Sequence, residues 1–111
     1  MTDHVKLEPV KRIAVRIGGQ PVVDTTRGYV VHEGGLPDRY YVPRADVRAE
    51  LAPGQGGANC PWKGDWKHLN ITAGSTHVAN GAWTYYAPTP TCEPIRDFIA
   101  FYETKAQIEI G

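Results

Sequence analysis

Residues 12–17 alternate, with Ile13, Val15 and Ile17 on one face and Arg12, Ala14 and Arg16 on the other. A period of two carried by β-branched residues predicts a half-buried strand. Gly18-Gly19 signals a tight turn, and residues 22–26 restart a strand. Arg27-Gly28 marks a second turn before Tyr29-Val30-Val31-His32-Glu33, which Gly34-Gly35 closes. Strands joined by such short turns predict a β-meander. Ahead of them, residues 1–10 are polar and carry Pro9 near their end, so positions 1–11 read as a loosely attached tail.

Residues 38–42, with Tyr40 and Tyr41, predict a fourth strand. Pro43 suits the first turn of a helix, because its fixed φ fits and its missing N–H is not needed there. Val47 and Leu51, four apart, would share the inner face of that short helix. Pro53-Gly54-Gln55-Gly56-Gly57 then reads as a flexible loop. Residues 66–72 and 76–78 predict two strands around Ala73-Gly74-Ser75, and Asn80-Gly81 a weaker turn before a strand over 82–86. Pro88, Pro90 and Pro94 oppose regular pairing over 87–94. Ile95, Phe98, Ile99 and Tyr102 stand at helical spacing, and residues 107–110 read as a last strand or a frayed end. The whole predicts a mainly β domain over residues 12–111, with seven to nine short strands and one or two short helices.

Composition narrows this picture. A chain of 111 residues fits one core, and an apolar fraction of 41% reads as globular. Twelve Lys plus Arg balance twelve Asp plus Glu. A nucleic-acid partner is therefore not expected, since phosphate contact calls for a basic excess or stripe. Lys6, Lys11, Arg12 and Arg16 read as one solvated strand face. No run of 18 apolar residues predicts a membrane span, and the first residues lack the apolar stretch of a signal peptide. The expected compartment is the cytoplasm, where Cys60 and Cys92 would be free thiols. Zinc needs four ligands. The chain has no Cys-x-x-Cys, and His4, His32, His68 and His77 keep no usual ligand spacing with either cysteine. No metal and no cofactor is expected. Neither a dinucleotide or P-loop glycine motif nor a Gly-x-Ser-x-Gly elbow is present.

Two stretches carry more than periodicity. One runs from Glu33-Gly34-Gly35-Leu36-Pro37-Asp38-Arg39-Tyr40-Tyr41-Val42-Pro43 to Asp46-Val47-Arg48. The other is Cys60-Pro61-Trp62-Lys63-Gly64, followed by Ala82-Trp83-Thr84-Tyr85 and residues 95–102. Together they resemble the family called domain of unknown function 427, sometimes labelled nucleotidyltransferase-like, over roughly residues 12–108. The resemblance implies a β-tent, two antiparallel sheets meeting at an angle and opening onto a pocket. Cereblon's ligand-binding domain and the zinc-bearing methionine sulfoxide reductases are related tents. Two positions depart from the family: His68-Leu69 replaces a frequent aromatic pair, and Tyr86 stands where a proline is usual.

The family motifs place the candidate chemistry. Lys63, in a glycine-bearing turn, reads as a handle for an anionic group, with Gly64 allowing close approach. Trp83 and Tyr85, two apart in a strand, share one face and join Tyr41 and Trp62 as walls of an apolar pocket. Arg48 could clamp a carboxylate or phosphate with its planar fork, or serve a structural ion pair. The expected function is binding of a small molecule of unknown identity. The alternatives are an enzyme with Cys60 as nucleophile or redox thiol near Lys63, and a protein-interaction module with an exposed apolar patch.

Overall fold

The computed structural model describes residues 4–111 as ten strands in two antiparallel sheets. The strands are β1 (Val5–Val10), β2 (Ile13–Ile17), β3 (Gln20–Thr25), β4 (Gly28–Glu33), β5 (Arg39–Val42), β6 (Glu50–Cys60), β7 (Gly64–Ala73), β8 (Thr76–Pro88), β9 (Ile99–Phe101) and β10 (Gln107–Ile110). The larger sheet has the order β1-β4-β5-β9-β8-β7-β6, and the smaller β10-β2-β3. The chain is mainly β, in the two-sheet form that the resemblance implies. Its helical segments are 3-10 turns, Arg44–Asp46 and Pro90–Ile95.

The alternation of residues 13–17 holds to the letter. Ile13, Val15 and Ile17 are each at most 2% exposed and face the larger sheet. Gly18-Gly19 makes the hairpin to β3. The expected meander breaks after it, because β4 leaves the small sheet and pairs with β1 and β5. Gly28 marks the crossing. A Cβ there would sit 2.3 Å from the Ile13 side chain and 2.9 Å from the Tyr41 carbonyl oxygen. Only glycine lets the sheets approach so closely.

Five expectations are corrected. Residues 5–10 are no tail but β1, six residues paired with β4; residues 1–3 lie outside the described part. Val5 and Leu7 carry the local period-two signal, and their inner face has a partner only in three dimensions. The helix expected after Pro43 is one 3-10 turn, after which Val47 bridges to Val23 and Leu51 lies in β6. The Pro53–Gly57 stretch bulges within β6, and Asn80, with φ 50°, is a kink inside the thirteen-residue β8. Ile99–Phe101 is β9, inserted between β5 and β8, so sheet pairing overrides the helical spacing.

The larger sheet has two working faces. One packs on the small sheet through Val42, Leu69, Ile71, Ala82, Ile99 and Phe101. The other gathers Val31, Tyr41, Trp83, Tyr85 and Ala100, and part of it is covered by Cys92 and Ile95 of the 3-10 segment. The rest of this second face is left open and forms the candidate site.

Candidate functional site

Strand parity selects the residues of the open face. Glu33 follows Tyr29 and Val31 on β4, Arg39 precedes Tyr41 on β5, Trp66 lies on β7, and Tyr102 follows Ala100 just beyond β9. Together with Trp83 and Tyr85 of β8 they surround a cavity of about 290 Å³, lined by Glu33, Leu36, Arg39, Cys60, Lys63, Trp66, Trp83, Tyr85 and Tyr102.

The Cys60–Gly64 motif is the β6–β7 hairpin. The Lys63 N–H donates to the Cys60 carbonyl at 3.1 Å, with Pro61 in the second turn position that its fixed φ favours. Gly64 follows at φ 114°, and a Cβ there would lie 2.2 Å from the Ala87 carbonyl oxygen. Gly64 thus seats β7 against β8 and is not among the residues lining the cavity. The turn aims the Cys60 and Lys63 side chains into the cavity and turns Trp62 outward, where its ring lies 4.5 Å from that of His4.

Lys63 is not an unmatched cation. Its ammonium is hydrogen-bonded to Glu33 Oε1, with both side chains nearly buried, and His4 Nε2 lies 3.6 Å from Glu33 Oε2. Lys63 also stands 5.6 Å from the centre of the Tyr85 ring. Removing either partner of the Lys63–Glu33 pair would strand a buried charge, at a cost of about 3–5 kcal/mol. Arg39 is different. It is half-buried, its guanidinium lies 5.7 Å over the Trp83 ring, and among the described residues its side chain forms no hydrogen bond or ion pair.

Tyr41 is wholly buried beneath the cavity, where its hydroxyl accepts a 3.0 Å hydrogen bond from Trp83 Nε1. Burial pushes the Tyr41, Tyr85 and Tyr102 phenols up, so all three stay protonated at neutral pH. For Tyr102 the Arg39 charge opposes that effect. The Tyr102 ring packs on Trp83 at 4.5 Å, and its hydroxyl meets His68 Nε2 at 2.8 Å.

Of the residues named from sequence, the cavity brings together Cys60, Lys63, Trp83 and Tyr85, while Tyr41 supports its floor. Arg48 does not reach it. It is exposed, and its backbone N–H donates to Val22 at the small sheet. Glu33, Leu36, Arg39, Trp66 and Tyr102 are the lining residues that sequence reading did not select. For Glu33 and Arg39 the signal was present, since each stands two positions from a strand residue facing the same way. Trp66 and Tyr102 lie where residue order alone shows no shared face. Among the described residues, no group of three or more His, Cys, Asp and Glu is arranged to hold a metal, and no helix is long and apolar enough to cross a membrane.

No curated protein matches the chain. A sequence profile described as a domain of unknown function (DUF427), whose name NTP_transf_9 echoes the nucleotidyltransferase-like label, matches residues 6–111. With that match covering nearly its whole length, the chain belongs to the domain of unknown function 427 family.

Proposed function

We propose that the protein binds a small planar molecule carrying an anionic group, held between the Trp66, Trp83, Tyr85 and Tyr102 rings. One observation carries this reading. Of the two cations lining the cavity, Lys63 is neutralised by Glu33, whereas Arg39 keeps its guanidinium fork for an incoming group. An arginine with aromatic backing is suited to a carboxylate or phosphate, which it meets with two parallel hydrogen bonds. The cavity volume of about 290 Å³ suits a small ligand rather than a polymer. The anion handle thus shifts from Lys63 to Arg39.

Saturation-transfer NMR with benzoate and indole-3-acetate, set against benzamide and indole-3-acetamide, tests the reading. The acids should bind about tenfold more tightly than the amides, by one charge-assisted contact. Arg39→Gln should erase the difference. Equal binding of acids and amides would remove the anion handle, and absence of binding by all four would remove the pocket function. Arg39 is the right target, because Lys63→Ala would also leave Glu33 unpaired.

A thiol enzyme is the second reading, favoured by one fact: Cys60 lines the cavity and is half-exposed. Its expected activation by Lys63 is weakened by the Glu33 carboxylate beside that ammonium. Cys92 is fully buried, and burial pushes its thiol up. Iodoacetamide should therefore label Cys60 before Cys92. A Cys60 rate no faster than that of a free cysteine peptide would exclude a catalytic thiolate.

A further inference from the structure

Three β-sheet irregularities converge behind His68, the hydrogen-bond partner of the cavity-lining Tyr102: the bulge between Pro53 and Gly57 in β6, the shift between Leu69 and Ile71 in β7, and the positive φ of Asn80 in β8. Bulges commonly re-aim a side chain next to a functional site. Asn70 Oδ1 accepts from the Asn80 backbone N–H at 2.9 Å. The Asn80 side-chain amide then grips the backbone of Gln55 twice, accepting its N–H at 2.9 Å and donating to its carbonyl at 3.1 Å. The Gln55 carbonyl, held in this way, meets His68 Nδ1 at 3.0 Å.

A carbonyl oxygen has no proton to give, so Nδ1 carries the hydrogen. In the neutral imidazole the other nitrogen is then an acceptor. Nε2 faces the Tyr102 hydroxyl at 2.8 Å, and Tyr102 must be the donor in that bond. The phenol keeps its proton, since burial pushes its titration up, and that proton points at His68. Oη keeps a lone pair free to accept, and Tyr102 lines the cavity.

We infer that Tyr102 presents an acceptor to the bound molecule, so that the ligand class is planar aromatic acids bearing a hydroxyl or amino donor on the ring. This rests on the pocket reading above and extends it: Arg39 reads the anion and Tyr102 reads the donor. His68 is a positioning residue. It is not among the residues lining the cavity, and it sets the direction of the Tyr102 hydrogen. The chain Asn70–Asn80–Gln55–His68 explains why a hydroxyl that could rotate freely is held to one polarity.

The test compares 3- and 4-hydroxybenzoate with 3- and 4-fluorobenzoate at pH 7.5 by ligand-observed NMR, since fluorine is close to hydroxyl in size but cannot donate. One of the hydroxy acids should bind about tenfold more tightly than its fluoro partner. In Tyr102→Phe, which keeps the ring and removes the acceptor, the ratio of hydroxy to fluoro acid should fall to about one. His68→Phe keeps the ring beside Trp66 but frees the Tyr102 hydroxyl to rotate, and should also lower the ratio without lowering fluorobenzoate affinity. The wild-type ratio stands even if a variant fails to fold. Fluorobenzoates that bind as tightly as both hydroxybenzoates, or more tightly, would overturn the inference and leave the pocket reading intact. Binding of neither class would overturn both.

Discussion

Gly64 and Lys63 are adjacent, yet one serves the backbone and the other the cavity. At φ 114° with the Ala87 carbonyl 2.2 Å from a would-be Cβ, Gly64 admits no side chain without moving β8. Gly64→Ala should destabilise the fold by about 2 kcal/mol or more, seen as a lower urea midpoint at unchanged m-value. A change below about 0.5 kcal/mol would show that the hairpin yields easily. Arg39 and Trp83 illustrate the opposite case, since their contact stabilises little on its own and matters for what it leaves available. A cation over an indole ring contributes only about 0.5–2 kcal/mol, while the guanidinium N–H groups have no hydrogen-bond partner among the described residues.

At the scale of elements, β1 depends on charge as well as on pairing. His32 on β4 lies 2.8 Å from Asp38 and 2.8 Å from Glu8 of β1, so one imidazole ties the edge strand to the loop before β5. The hydrogen bond to Asp38, then that to Glu8, raises its titration above the ordinary 6.5. A group raised in the folded state stabilises fully below its unfolded value and loses that contribution as pH rises through the folded one. Protection of the Val5–Val10 amides, corrected for intrinsic exchange, should therefore fall as pH climbs from about 6.5 through the raised His32 value. His32→Phe should flatten the profile. A wild-type profile already flat would show that β1 is held by strand pairing and Val5 burial alone.

Over the whole molecule, the two faces of the larger sheet divide the work. Ile99, Leu69, Ile71 and Val42, each at most 2% exposed, pack on the small sheet and supply the core. The other face pairs buried Tyr41 and Ile95 with an open aromatic cavity, which lets binding couple directly to stability. A ligand at about 100 times its Kd should stabilise the native state by about 2.7 kcal/mol, since it binds only the folded protein. For a domain of this size that is a rise in Tm of roughly 10–20 °C. An aromatic acid that satisfies Arg39 should produce such a shift in wild type and a much smaller one in Arg39→Gln, read by differential scanning fluorimetry. An equal shift in both would place the binding site elsewhere.

Local chemistry was readable wherever the residues that decide a feature are close in the chain. The strand Ile13–Ile17, the turn at Gly18-Gly19, the mainly β class and the Cys60–Gly64 turn all follow from short-range patterning, as does the shared face of Trp83 and Tyr85. Arg39 and Glu33 were within reach of the same parity argument. Three other features were not. β1 reads as polar until β4 covers its inner face; Ile99–Phe101 fits a helix by spacing until β5 and β8 take it between them; and Arg48, attractive by motif, is carried away by the bond of its backbone to Val22. The ion pair of Glu33 with Lys63 spans thirty residues, and the hydrogen bond of His68 with Tyr102 spans thirty-four. Sequence by itself determined which segments are strands and which faces are apolar, because those depend on neighbours one to four residues away. Only the tertiary structure decided which cation stays available and which hydroxyl points where, because hydrogen-bond partners from distant strands set both.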